Sequence, residues 1–87
     1  MIVLVVSPDG TFESKDVASF MDIKALIGGH VEVVSRHRGS AMLVDEDGRS
    51  KELPRNQAIP RLVGPVVLAP KGWEDLPYNT ATEGEEP

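Results

Sequence analysis

His30 and His37 are the only side chains in these 87 residues whose ordinary pKa suits proton transfer near neutral pH. They stand seven positions apart, which is not the H-E-x-x-H spacing that sets two imidazoles on one helix face. A zinc site would need further ligands from carboxylates, and none stand at ligand spacing. There is no cysteine, so no disulfide, thiolate ligand or thiol nucleophile is possible. The chain has no G-x-S-x-G, Walker or G-x-G-x-x-G pattern. Asp45-Glu46-Asp47-Gly48 has the look of a calcium loop. Counted from Asp45, however, an EF-hand would place a ligand at Arg49 and its closing Glu at Asn56. The expectation is a protein that is not an enzyme and uses no metal or cofactor.

Binding chemistry has better candidates. Between positions 36 and 61 stand six basic residues, Arg36, Arg38, Arg49, Lys51, Arg55 and Arg61, against four acidic ones. Arginine offers a bidentate fork to phosphate. Asn56 and Gln57 add hydrogen-bonding amides, and Gly28-Gly29-His30 forms a corner where backbone amides can be exposed. These residues define one reading, a small nucleotide-like ligand held by the Gly28–His30 corner with Arg55 and Asn56. Trp73 and Tyr78 define another. In a chain with four aromatic residues, these two flank Leu76 within an acidic stretch. Such a segment can act as a linear motif that orders on a protein partner.

The charge distribution excludes some partners. The net charge is −5. Residues 73–87 hold Glu74, Asp75, Glu83, Glu85 and Glu86 with no Lys or Arg, so the first 72 residues are neutral. A neutral body does not suit bulk nucleic acid, whose binding requires a basic surplus. The longest apolar run, Ile2 to Val6, is far shorter than the roughly 20 residues of a spanning helix. No basic leader precedes it, and a cytoplasmic protein is expected.

These residues must be carried by a small framework. Ile2–Val6 is apolar without alternation, which predicts a central strand buried on both faces. Ser7-Pro8-Asp9-Gly10 is a turn, and Thr11–Val17 a second, more polar strand anchored by Phe12. Ser19 is a helix N-cap with Asp22 three residues on. Phe20, Ile23, Leu26 and Ile27 form an apolar stripe, and Gly28-Gly29 ends the helix. Val31–Val34 and Ala41–Val44 are strands about a tip at Arg36-His37-Arg38-Gly39. Asp45–Gly48 suits a primed hairpin turn before a short strand over Ser50–Leu53. Pro54 and Pro60 bracket a loop or single helical turn, and Pro65–Ala69 is the last strand. The expected fold is α+β: a single helix on a mixed, mainly antiparallel sheet, β-grasp-like in topology, with the first and last strands as central neighbours. Residues 1–72 form the domain, and 73–87 an acidic, largely disordered tail with Trp73 able to dock. The small core and an open edge, on the second strand or on Ala41–Val44, point to a homodimer.

Three segments taken together resemble a known family. They are the opening strand with its Pro-Asp-Gly turn, Leu26-Ile27-Gly28-Gly29-His30-Val31-Glu32-Val33-Val34, and Leu53-Pro54-Arg55-Asn56-Gln57-Ala58 followed by Gly64-Pro65-Val66-Val67-Leu68. Over residues 1–72 they are similar to the domain of unknown function 3846 family of small phage and bacterial proteins, often actinobacterial. The resemblance implies a phage or mobile-element setting and no particular mechanism. The reading that fits best is an accessory protein that binds and modulates a host protein. The alternative is the small-ligand binder.

Overall fold

Ser7-Pro8-Asp9-Gly10 reverses the chain at once. The Gly10 amide donates to Ser7 O at 2.8 Å, with Gly10 at a φ of 93°. The Asp9 carboxylate accepts both the amide and the hydroxyl of Thr11. The strands on either side, β1 (Ile2–Val6) and β2 (Phe12–Asp16), therefore pair antiparallel. In the computed structural model, which describes residues 1–79, α1 (Phe20–Ile27), β3 (Val31–His37), β4 (Ser40–Asp45) and β5 (Val66–Ala69) follow, and a single 3₁₀ turn spans Trp73–Asp75.

The five strands form one sheet in the order β2-β1-β5-β4-β3. The first and last strands are neighbours at its centre. That pair is antiparallel, as are the other three pairings. The sheet is thus antiparallel throughout rather than mixed, because the long 46–65 connection returns the chain in the opposite direction to β4 and β1. The edges are β2 and β3, so of the two segments expected to leave an open edge the second strand does, while Ala41–Val44 is interior. The hairpin tip is tighter than its sequence suggests. Arg36 and His37 lie on β3, and only Arg38 and Gly39, with φ of 53° and 90°, make the turn.

The helix is built as its residues dictate. Ser19 Oγ accepts the Asp22 amide at 3.3 Å, and the Asp22 carboxylate reaches back to the Ala18 amide at 2.8 Å. Gly28 closes the C-terminus at a φ of 88°. Ile23 and Ile27 are buried against Val3, Val5, Leu43, Val67 and Ala69, with Phe20, Leu26 and Val33 packed around them. Val17 (3% exposed) anchors the end of β2, whereas Phe12 lies 58% exposed on the opposite face and is not the anchor its size suggested.

The C-terminal segment belongs to this core. Trp73 is buried and Leu76 packs beside it. Pro77 O and Tyr78 O accept the Phe20 and Met21 amides at 2.8 Å each. Two of the helix's orphan donors are thus satisfied by chain that the sequence assigns to a solvated tail. Packing carries the folded body past residue 72 to Tyr78. Residues 80–87 of the expected tail lie outside the described residues.

No strand forms over Ser50–Leu53. Residues 45–53 are a run of turns (Gly48 N–H to Asp45 O, Lys51 N–H to Asp47 O, Leu53 N–H to Gly48 O), and neither Asp47 nor Gly48 has the positive φ of a primed hairpin. The loop that follows lies on the sheet face away from α1. Its Ile59 and Leu62 pack on Val6, Val44 and Val66.

Candidate functional site

The residues singled out by the sequence fall in separate places. Gly28, Gly29 and His30 turn the chain from α1 into β3, and the corner is filled from within. Asp45 is buried, with its side chain 1% exposed, and pairs with Lys51 Nζ at 2.7 Å. Lys51 also donates to Gly28 O at 3.3 Å. A Cβ on Gly29 would sit 2.7 Å from Lys51 Nζ and 2.8 Å from the Asp45 carboxylate. The two glycines are explained by helix termination and by the ion pair seated on them, which leaves no cradle for a phosphate. Lys51 above all, then the Asp47 amide, holds the Asp45 carboxyl below the ordinary carboxylate range against the opposing effect of burial.

Asn56 is fully buried and its side chain is saturated. Nδ2 donates to Val6 O at 3.1 Å and to Gly64 O at 3.0 Å, and Oδ1 accepts the amides of Ala58 and Ile59. Both donors and both lone pairs are used, so none remains for a ligand. Asn56 is the peg that fastens the 54–64 loop to β1. Arg55 Nη1 donates to Pro60 O at 2.8 Å across the same loop.

Arg36 and Trp73 do meet. The guanidinium lies 5.8 Å from the indole ring and pairs with Glu74 at 2.8 Å. This joins the end of β3 to the C-terminal segment on the helix side of the sheet. Trp73 is 7% exposed, so it is a core residue rather than a free motif anchor. Tyr78 stays 59% exposed, its ring 5.9 Å from that of Phe20. Arg38, at the hairpin tip, has no ion-pair partner among the described residues. Among the described residues, no three His, Asp or Glu side chains gather as a metal cluster.

The feature that stands out lies on the other face. The 54–64 loop covers the row Val6–Val66 but stops there. Beyond it the paired positions Leu4, Leu68 and Met42 form an apolar floor, extended by Ile2 and bounded by Ser14 on β2, by Ser35 and Ser40, and by His37. The groove is open and measures about 410 Å³. Ile2 is 57% exposed within it. Sequence reasoning missed this surface, because an unbroken apolar β1 reads as buried on both faces. One signal was present. A single helix covers a single face, and among the described residues the loop between Pro54 and Gly64 is what packs on the other.

Among the described residues, the fold and this surface define a class: a one-helix, five-stranded antiparallel α+β domain with part of one sheet face left open. Within that class, the family model described as domain of unknown function (DUF3846) matches residues 1–82, and the chain belongs to that family. The match spans the sheet, the helix and the docked C-terminal segment. No curated protein and no solved structure matches the chain. No helix among the described residues is long and apolar enough to cross a membrane.

Proposed function

We propose that this protein is a non-enzymatic accessory module that docks a protein partner on the open half of its sheet. The observation that carries the reading is the apolar floor of Ile2, Leu4, Met42 and Leu68, which the described residues leave open, with Ile2 57% exposed and the other three half-buried. Exposed apolar surface rimmed by polar residues is a common mark of a docking site. The phage or mobile-element setting implied by the family resemblance makes a host protein the partner, and modulation of that protein the outcome. An open sheet face suits a macromolecule better than a small ligand, because ligand sites enclose most of what they bind.

The test is capture from the host with the full chain and three variants. Ile2→Asp, which places a charge on the floor at an exposed position, abolishes recovery of the partner. Arg55→Ala and Tyr78→Ala, both away from the groove, leave it intact. Calorimetry against a nucleotide panel gives the contrary result: binding that Arg55→Ala removes and Ile2→Asp spares would overturn the proposal in favour of a small-ligand binder.

A further inference from the structure

The apolar floor has a polar direction. Its rim on three sides is neutral or already satisfied. Ser14, Ser35 and Ser40 are uncharged, and Asp16, opposite Ile2 on β2, pairs with the Met1 ammonium. The end at the β3–β4 tip is different. His37 and Pro70 line the groove there, Arg38 is the first residue of the turn, and Lys71 follows Pro70. A Cβ on Gly39 would lie 2.7 Å from Lys71 Cγ, so the lysine lies against the tip. Neither Arg38 nor Lys71 has an ion-pair or side-chain hydrogen-bond partner among the described residues. The neighbouring Arg36 shows the contrast, since its charge is met by Glu74 on the other face.

Resting on the docking reading above, we infer that the groove takes an apolar segment of another protein that carries acidic residues at one end, laid so that they meet Arg38 and Lys71. The complementarity of charge gives the segment a direction along the groove, which an apolar floor alone does not. A second copy of this chain is a poorer occupant by way of its edges. β2 exposes Glu13, Lys15 and Asp16, and β3 is interrupted by a bulge between Val33 and Ser35, both devices that discourage strand addition.

The experiment uses the full chain and an array of synthetic peptides. Their apolar residues recur at strand or helix spacing, and each peptide is made with a Glu-Glu, a Gln-Gln or a Lys-Lys end. Glu-Glu peptides bind roughly three- to tenfold more tightly than their Gln-Gln counterparts, the weight of one or two rim ion pairs. The preference falls with added salt and disappears in Arg38→Ala/Lys71→Ala, while Ile2→Asp removes binding of both sets. Equal binding of the Glu-Glu and Gln-Gln sets overturns the directional inference and leaves the docking reading standing. No binding by any peptide, together with unchanged sedimentation of Ile2→Asp, overturns both. A dimer that Ile2→Asp dissociates shows that a second copy fills the groove, and this too overturns the inference.

Discussion

Asn56 and Asp45 are the two buried polar residues on which the 45–65 segment depends, and each is read through its partners. Asn56→Ala strands the buried carbonyls of Val6 and Gly64 and frees the part-buried amides of Ala58 and Ile59. An unmet buried group costs about 1–3 kcal/mol, so a loss of about 3 kcal/mol or more follows. Denaturant unfolding measures it, and amide exchange at Ala58 and Ile59 should quicken before the rest of the sheet. Asp45 predicts a dependence on pH. Its folded pKa is lowered, first by the Lys51 hydrogen bond. Its contribution is therefore complete above the unfolded value of about 4 and is lost as pH falls through the lower folded value. Lys51→Ala removes the main cause of that shift. Stability then drops at pH 7 and varies less with pH below about 4 than in the parent, a comparison that paired melting curves make directly.

At the scale of elements, α1 depends on packing and on the chain end. Eight residues are too few to be helical alone in water. Ile23 is fully buried while Leu26 is half-buried at the edge of the stripe. Ile23→Ala should cost about 2–5 kcal/mol, and Leu26→Ala distinctly less, since part of its surface stays in water in the folded state. Equal losses in thermal melts would mean that the stripe is rotated from where Ile23 and Ile27 place it. The C-terminal segment supplies two carbonyl caps and two core side chains. Ending the chain after Gly72 removes all four and should leave a molten or aggregating product. Ending it after Asn79 keeps every described contact and should leave the melting temperature unchanged. Circular dichroism of the two truncations separates a docked segment from a free tail.

For the molecule as a whole, two half-blunted edges and one half-bare face decide how it meets others. The sequence suggested a dimer across an open edge. The edges carry charges and a bulge, so sedimentation of the full chain should show a monomer, with association confined to partners that reach the sheet face. The same asymmetry explains why no single cluster of the expected residues makes the site. Gly29, Asn56 and Trp73 each have a structural task that uses their chemistry, and the uncovered surface is formed by ordinary aliphatic residues that no motif marks.

Local chemistry in the sequence determined the elements. Pro-Asp-Gly, Ser19 with Asp22, Gly28 and the apolar stripe of α1 act over a few residues, and each placed its turn, cap or helix. The placing of first and last strands side by side also followed, from a β-grasp-like reading that put the unbroken apolar β1 at the sheet centre. Tertiary structure decided everything that depends on which face meets what. Period-two alternation cannot show whether a fully apolar strand is covered on one side or two, so Ile2 and Leu4 read as core while Ile2 stands exposed and Leu4 is only half-buried. Composition cannot show that the acidic segment after Gly72 is held by carbonyls and a tryptophan, because the helix N-terminus that binds it lies far away in sequence, Phe20 against Pro77 and Met21 against Tyr78. Among the described residues the groove is left open because the covering loop, pegged at Asn56, packs on the Val6–Val66 row and not on the positions beyond it.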